Sequence, residues 1–170
     1  MTVEMERKFQ VLDDQWRKHA SAGSELRQAY IVSMKNRMVR VRTINAKRAV
    51  LTVKIRTSPV RREEFEYAIP YADAIEMFKR ALGIIEKTRY EVDYRGHRWE
   101  IDVYSGAHRG LVVAEVELCD GDLELPRPPW VGPEITGNPL YSNRTLAMKS
   151  GRHDVDGRIG GGTPHSVKRT

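Results

Sequence analysis

The sequence predicts a mainly antiparallel β fold of the α+β class, a closed or nearly closed barrel of about eight strands with a few peripheral helices. Three observations predict it. Apolar and polar residues alternate with a period of two in one segment after another, as strands require. Glycine turns separate several of these segments at hairpin distance. Only a few short stretches carry the spacing or end signals of a helix.

Taken in order, "VEMERKFQV" (3–11) places Glu4, Glu6 and Lys8 on one strand face and Val3, Met5, Phe9 and Val11 around them. "DDQWRKHA" (13–20) begins with aspartates suited to capping and reads as a helix. "LRQAYIVS" (26–33) reads as a strand. In "RMVRVRTI" (37–44), Val39 and Val41 oppose Arg40 and Arg42. In "AVLTVKIRT" (49–57), Leu51, Val53 and Ile55 oppose Thr52, Lys54 and Arg56. "RREEFEYAI" (61–69) sets Phe65, Tyr67 and Ile69 against Glu64 and Glu66. "PYADAIEMFKRALG" (70–83) starts at a proline, ends at a glycine and carries a helical apolar stripe, which is ordinary packing material. "EKTRYEVDY" (86–94) puts Lys87, Arg89 and Glu91 on one face, and the turn "YRGHR" (94–98) leads into "HRWEIDVY" (97–104), where Glu100 and Asp102 oppose Trp99, Ile101 and Val103. After the glycine loop "GAHRG" (106–110), "LVVAEVEL" (111–118) sets Glu115 and Glu117 against Val112, Ala114, Val116 and Leu118. "ELPRPPWVGPEITGNP" (124–139) is rich in proline and glycine and reads as a loop over one end. "YSNRTLAMKSG" (141–151) reads as a short terminal helix. One domain over 1–150 and a flexible tail over 151–170 follow, with no internal repeat.

The net charge of +6 and pI of about 9.5 suit an anionic partner, but acids and bases alternate within the same segments rather than forming one basic block. That argues against simple duplex binding, and we expect no nucleic-acid partner. Nor do aromatics interleave with the basic residues as a stacking platform would need, since Phe65, Tyr67 and Trp99 fall on the opposite face. A single cysteine, Cys119, allows no intrachain disulfide. No apolar run reaches the ~18–20 residues of a membrane span, and the N-terminus lacks the features of a signal peptide, so a cytoplasmic protein without a membrane partner is expected. The five histidines, His19, His97, His108, His153 and His165, show no metal-ligand spacing and read as surface residues.

Which face of these strands lies inside is the central question. For one antiparallel strand, charged side out is the commoner arrangement. Here, though, charge recurs in pairs at i and i+2: Glu4/Glu6, Arg40/Arg42, Lys54/Arg56, Glu64/Glu66, Lys87/Arg89, Glu100/Asp102 and Glu115/Glu117. Like charges side by side repel, and a multivalent ligand offsets that cost. Arginine and lysine neutralise phosphate oxygens. Carboxylates bind hard divalent cations, and Mg²⁺ is commonly shared between carboxylates and substrate phosphates. Both sets suit one metal–polyphosphate complex.

"VEMERKF" resembles the E-x-E-x-K signature of the CYTH superfamily, the triphosphate tunnel metalloenzymes. "VRVR", "LTVKIR", "RREEFEYAIP", "EKTRYEV", "WEIDVY", "GLVVAEVEL" and "PPWVGPEITGNPLYSN" follow in the family's order, so the resemblance covers about residues 2–150 and is greatest to the short bacterial members. It implies an eight-stranded antiparallel tunnel with the charged faces inside. It implies Mg²⁺ or Mn²⁺ on Glu4, Glu6, Glu117 and Glu115, and a triphosphate gripped by Lys8, Arg40, Arg42, Lys54, Arg56, Lys87 and Arg89, with Arg27 a weaker candidate. Asp102, Glu64 and Glu66 match tunnel-facing acids, and Glu115, Asp102 and Lys87 are the expected catalytic groups. The implied reaction is metal-assisted hydrolysis of inorganic tripolyphosphate. Class IV adenylate cyclase, thiamine or nucleoside triphosphatase, and a non-catalytic polyphosphate-binding module share the same charge pattern. Related short proteins also allow a homodimer. The family's terminal "YYN-x-x-LA-x-x-P" is here "LYSNRTLAMKSG", without the proline, which leaves the role of Lys149 open.

Overall fold

A computed structural model describes residues 5–57, 62–118 and 124–150. Glu4, Cys119 and the tail 151–170 lie outside the described residues. The elements are β1 (Met5–Val11), β2 (Ser24–Ser33), β3 (Arg37–Ile44), β4 (Arg48–Arg56), β5 (Arg62–Ile69), α1 (Tyr71–Phe78), β6 (Gly83–Tyr94), β7 (His97–Tyr104), β8 (Val112–Leu118), β9 (Val131–Glu134) and α2 (Asn143–Ser150). Short 3₁₀ turns at Gln15–His19, Gly106–His108 and Pro139–Tyr141 join them. The strands form one antiparallel sheet in the order β5-β4-β3-β2-β6-β7-β8-β1-β9. It curls around a charged cavity, as the expected tunnel requires.

Several boundaries differ from the sequence reading. The sheet has nine strands rather than eight, and among the described residues its ladder ends at β5 and β9 instead of closing by hydrogen bonds. The ninth strand arises inside the expected loop 124–139. It is an edge strand, where Pro133 is tolerated because no inner neighbour needs its missing N–H. Gly132 lets it approach β1, since a Cβ there would lie 3.0 Å from Leu12 and 3.2 Å from the Gln10 carbonyl oxygen. The expected helix over 13–20 is only a 3₁₀ turn without a side-chain cap bond. Its structural role is to bury Trp16 against Tyr90. The β6–β7 hairpin turns through Arg95 and Gly96, both at positive φ, as a tight two-residue turn demands.

Three apolar clusters fix which face is inside. On the outer face α1 lays Ala74 and Phe78 over Ala29, Val41 and Ala49 of β2–β4. Also outside, Phe9, Trp16, Trp99, Ile101, Val116 and Trp130 pack together, with Trp99 against both Phe9 and Trp130. Phe65 and Tyr67 occupy the outer face of the edge strand β5 and remain exposed. The third cluster is on the inner face. Leu146 and Ala147 of α2 meet Tyr30, Ile85, Tyr104 and Val113 and so close one end of the barrel. Gly83 permits this approach, because a Cβ would stand 2.2 Å from the Ala147 carbonyl oxygen. Among the described residues no helix is long and apolar enough to cross a membrane.

Candidate functional site: an acidic wall facing a basic wall

The inner face encloses a cavity of about 850 Å³. Pleat and register carry the paired charges there together: Glu6 and Lys8 from β1, Arg40 and Arg42 from β3, Lys54 and Arg56 from β4, Glu64 and Glu66 from β5, Lys87 and Arg89 from β6, Glu100 from β7, and Glu115 and Glu117 from β8. Glu6, Glu100, Glu115 and Glu117 gather on β1, β7 and β8, and the bases Arg40, Arg42, Lys54 and Arg56 on β3 and β4, where Glu66 and Glu64 of β5 pair with Arg40 and Lys54. The charge alternation along the sequence thus becomes two opposed walls.

The acidic wall is already partly neutralised. Asp102 is fully buried and does not line the cavity. It accepts from Lys87 Nζ and from Arg89 Nε and Nη2, the last two at 2.7 Å. Burial opposes its charge, but Lys87 and Arg89 outweigh that penalty and hold its carboxyl down at about 2. Burial also pushes the Lys87 ammonium below the usual lysine range. Glu115 lies 2.9 Å from Lys8 Nζ and accepts from Arg89 Nη2 at 2.9 Å. Arg89 also reaches Glu100. Burial, reinforced by Glu115, raises the carboxyl of Glu6. Burial likewise raises Glu100, against the pull of Arg89.

On the basic wall, Arg40 is held by a relay. Its Nη2 donates to Thr52 Oγ1 at 3.3 Å, and Thr52 donates to Glu66 at 2.9 Å. Lys54 pairs with Glu64 at 2.7 Å. Arg42 and Arg56 have no acidic partner within ion-pair distance among the described residues. Arg42 instead sits among cations, and burial, Arg40 and Arg89 together lower its pKa.

A metal has a natural place. Glu6 and Glu117 stand directly opposite each other in the β1–β8 register, so their charges repel. Lys8 approaches Glu6 only to 3.6 Å, and no cation pairs with Glu117 among the described residues. Carboxylate oxygens suit a hard divalent ion, and two of them are enough for Mg²⁺, which takes its remaining ligands from water and phosphate. No group of three or more His, Cys, Asp or Glu side chains forms a ready-made cage among the described residues.

One candidate moves away from the site. Arg27 points to the outer face, where it pairs with Glu86 at 2.8 Å and lies over the Phe78 ring. Other lining residues have no strand-period signal. Lys35, Asn36 and Arg37 come from the β2–β3 turn and its flank, and Ser142, Asn143 and Arg144 from the start of α2. Arg144 donates to Ser33, and Tyr104 donates to Asn143, which ties α2 to the barrel wall. Lys149 is not among the lining residues.

A curled antiparallel sheet with charged inner walls and apolar outer cover defines a tunnel-type β protein. The chain belongs to the CYTH domain family, whose profile matches residues 2–147. It is 40% identical over 148 residues to an inorganic triphosphatase of Acetivibrio thermocellus, covering 86% of this chain and 94% of that one. It is 34% identical over 92 residues to an inorganic triphosphatase of Nitrosomonas europaea, covering 51% of this chain and 60% of that one. Among solved structures, the crystal structure of an inorganic triphosphatase superposes with a TM-score of 0.65 at 28% identity, over 87% of this chain and 96% of that one. A protein from Pyrococcus horikoshii shares the fold at 20% identity and a TM-score of 0.54, over 69% of this chain and 79% of that one.

Proposed function

We propose that this chain hydrolyses a phosphoanhydride bond of inorganic tripolyphosphate inside the charged cavity, with Mg²⁺ or Mn²⁺. The observation that carries the reading is the facing of two walls. Arg42 and Arg56 lack acidic counter-ions among the described residues on one side, and Glu6 and Glu117 repel one another on the other. A polyanion with a divalent cation satisfies both. The names of the relatives agree with it.

Arg42 and Arg56 take phosphoryl oxygens directly. Arg40 and Lys54 exchange their contacts with Glu66 and Glu64 for substrate. Lys8 stands between the walls, paired with Glu115 and near Glu6. Glu6 and Glu117 would hold the divalent ion, with Glu115 beside them; Glu4, expected to join them from the sequence, lies outside the described residues. When bound, that ion polarises phosphoryl oxygens and lowers the pKa of coordinated water. Asp102, at about 2, is a poor base and acts as the anchor of Lys87 and Arg89. Water activation falls instead to Glu100 and Glu115 of the acidic wall, which line the cavity beside Glu6 and Glu117.

Preference for tripolyphosphate over a nucleotide follows from the lining. Its one aromatic among the described residues, Tyr30, is 1% exposed and offers no platform for a base. The test is phosphate release from tripolyphosphate, ATP and thiamine triphosphate with Mg²⁺, Mn²⁺ and EDTA. Tripolyphosphate is expected to turn over fastest, and EDTA to stop the reaction. Formation of cyclic AMP from ATP at an equal or higher rate would overturn the proposal in favour of a cyclase.

A further inference from the structure

Gln28 is 1% exposed, and its Oε1 has no hydrogen-bond partner among the described residues. Leaving a buried amide oxygen unpaired is costly, so such a group calls for an explanation. The β2–β3 register puts Gln28 directly opposite Arg42. Opposed residues of an antiparallel pair share one face, with Cβ atoms about 4.5–5.5 Å apart. Arg42 carries the complementary orphan, a buried Nε with no hydrogen-bond partner among the described residues. On the other flank, Gln28 faces the apolar Ile85 of β6. Lys87, the diagonal cation on that strand, is already committed to Asp102. An unpaired acceptor and an unpaired donor therefore sit on opposed residues of one strand pair, without yet being bonded to each other.

Arg40 shows what such support does. Thr52 and Glu66 fix its guanidinium at a defined place on the wall. Among the described residues Arg42 lacks an equivalent acid. Its planar fork grips phosphate well only when its orientation is set.

We propose that Gln28 is a positioning residue for Arg42. When tripolyphosphate enters, Arg42 turns its two terminal nitrogens onto a phosphoryl group, and its Nε–H donates to Gln28 Oε1. The inference rests on tripolyphosphate being the ligand of this cavity.

The test is a double-mutant cycle on metal-free tripolyphosphate binding, measured by calorimetry. Gln28→Met keeps side-chain length and removes the amide. It is expected to weaken binding about tenfold, the scale of one hydrogen bond to a charged group. Lysine has no Nε fork, so on an Arg42→Lys background Gln28→Met is expected to change affinity less than about twofold. A second reading uses the unaltered protein. The Arg42 Nε–H resonance, assigned by its loss in Arg42→Lys, should become protected from solvent exchange when tripolyphosphate is added. Wild-type affinity in Gln28→Met, equal loss on both backgrounds, or an Nε–H that stays unprotected at saturation would each overturn the proposal. If the wild-type protein does not bind tripolyphosphate at all, the proposed substrate fails instead.

Discussion

Replacing Asp102 with asparagine keeps the shape of the side chain and removes its charge. Lys87, whose side chain is 0% exposed, then has no full counter-ion, and Arg89 loses one of the two oxygens that accept its bonds. Breaking one partner out of a buried ion pair costs about 3–5 kcal/mol. For a chain of this length each kcal/mol moves Tm by roughly 2–4 °C, so Asp102→Asn should melt about 6–20 °C below wild type. Activity should fall as well, because Lys87 and Arg89 lose the anchor that aims them. The same carboxylate leaves a mark in pH. Its folded pKa of about 2 lies below its ordinary value of 3.8. A group with a lowered pKa adds stability that is present above its unfolded pKa and lost as pH falls through its folded one. Between about pH 4 and pH 2 the wild-type Tm should therefore drop more steeply than that of Asp102→Asn. Replacing both charges, as in Lys87→Met with Asp102→Leu, should restore part of the stability without restoring activity, since no buried ammonium is left stranded while Arg89 keeps Glu100 and Glu115. Melts followed by circular dichroism from pH 2 to pH 8 read all of this. An Asp102→Asn protein that melts within about 2 °C of wild type, with a parallel pH profile, would refute the anchoring role.

Glu117→Gln should lower Mg²⁺-supported hydrolysis by orders of magnitude while leaving metal-free tripolyphosphate binding intact, as calorimetry and phosphate release would show together. Arg56→Ala should instead weaken that binding about ten- to hundredfold, the loss of a charge-assisted bond worth about 1.5–3 kcal/mol. Gly83→Ala should displace α2, whose Ala147 carbonyl a Cβ would meet at 2.2 Å, giving a lower Tm and faster amide exchange over Asn143–Ser150.

Much of the site was legible because a period of two leaves little freedom once one face is known. Fixing the inside of β3 by Arg40 and Arg42 fixes Lys54 and Glu64 through the register. β2 resisted the same reasoning because both of its faces are buried: Ala29 lies under α1 and Tyr30 under α2. Apolar residues on both sides hide the phase, so Arg27 could not be assigned and Gln28 went unnoticed. The sinking of Asp102 below the cavity floor depends on where Lys87 and Arg89 reach from a neighbouring strand, which no local pattern encodes. Residues from the β2–β3 turn and the start of α2 reach the cavity through chain geometry rather than periodicity. β9 was hidden by Pro133 and Gly132, which an edge strand tolerates and an inner strand would not.

The division of labour between the two walls is tested most directly by anomalous diffraction at the manganese edge. Crystals would be soaked with Mn²⁺ and tripolyphosphate at a pH that slows turnover. A manganese peak coordinated by Glu6 and Glu117, with phosphoryl density against Arg42 and Arg56, is the predicted result. Manganese bound outside the cavity, or phosphoryl density away from β3 and β4, would contradict the assignment of metal to the acids and triphosphate to the bases.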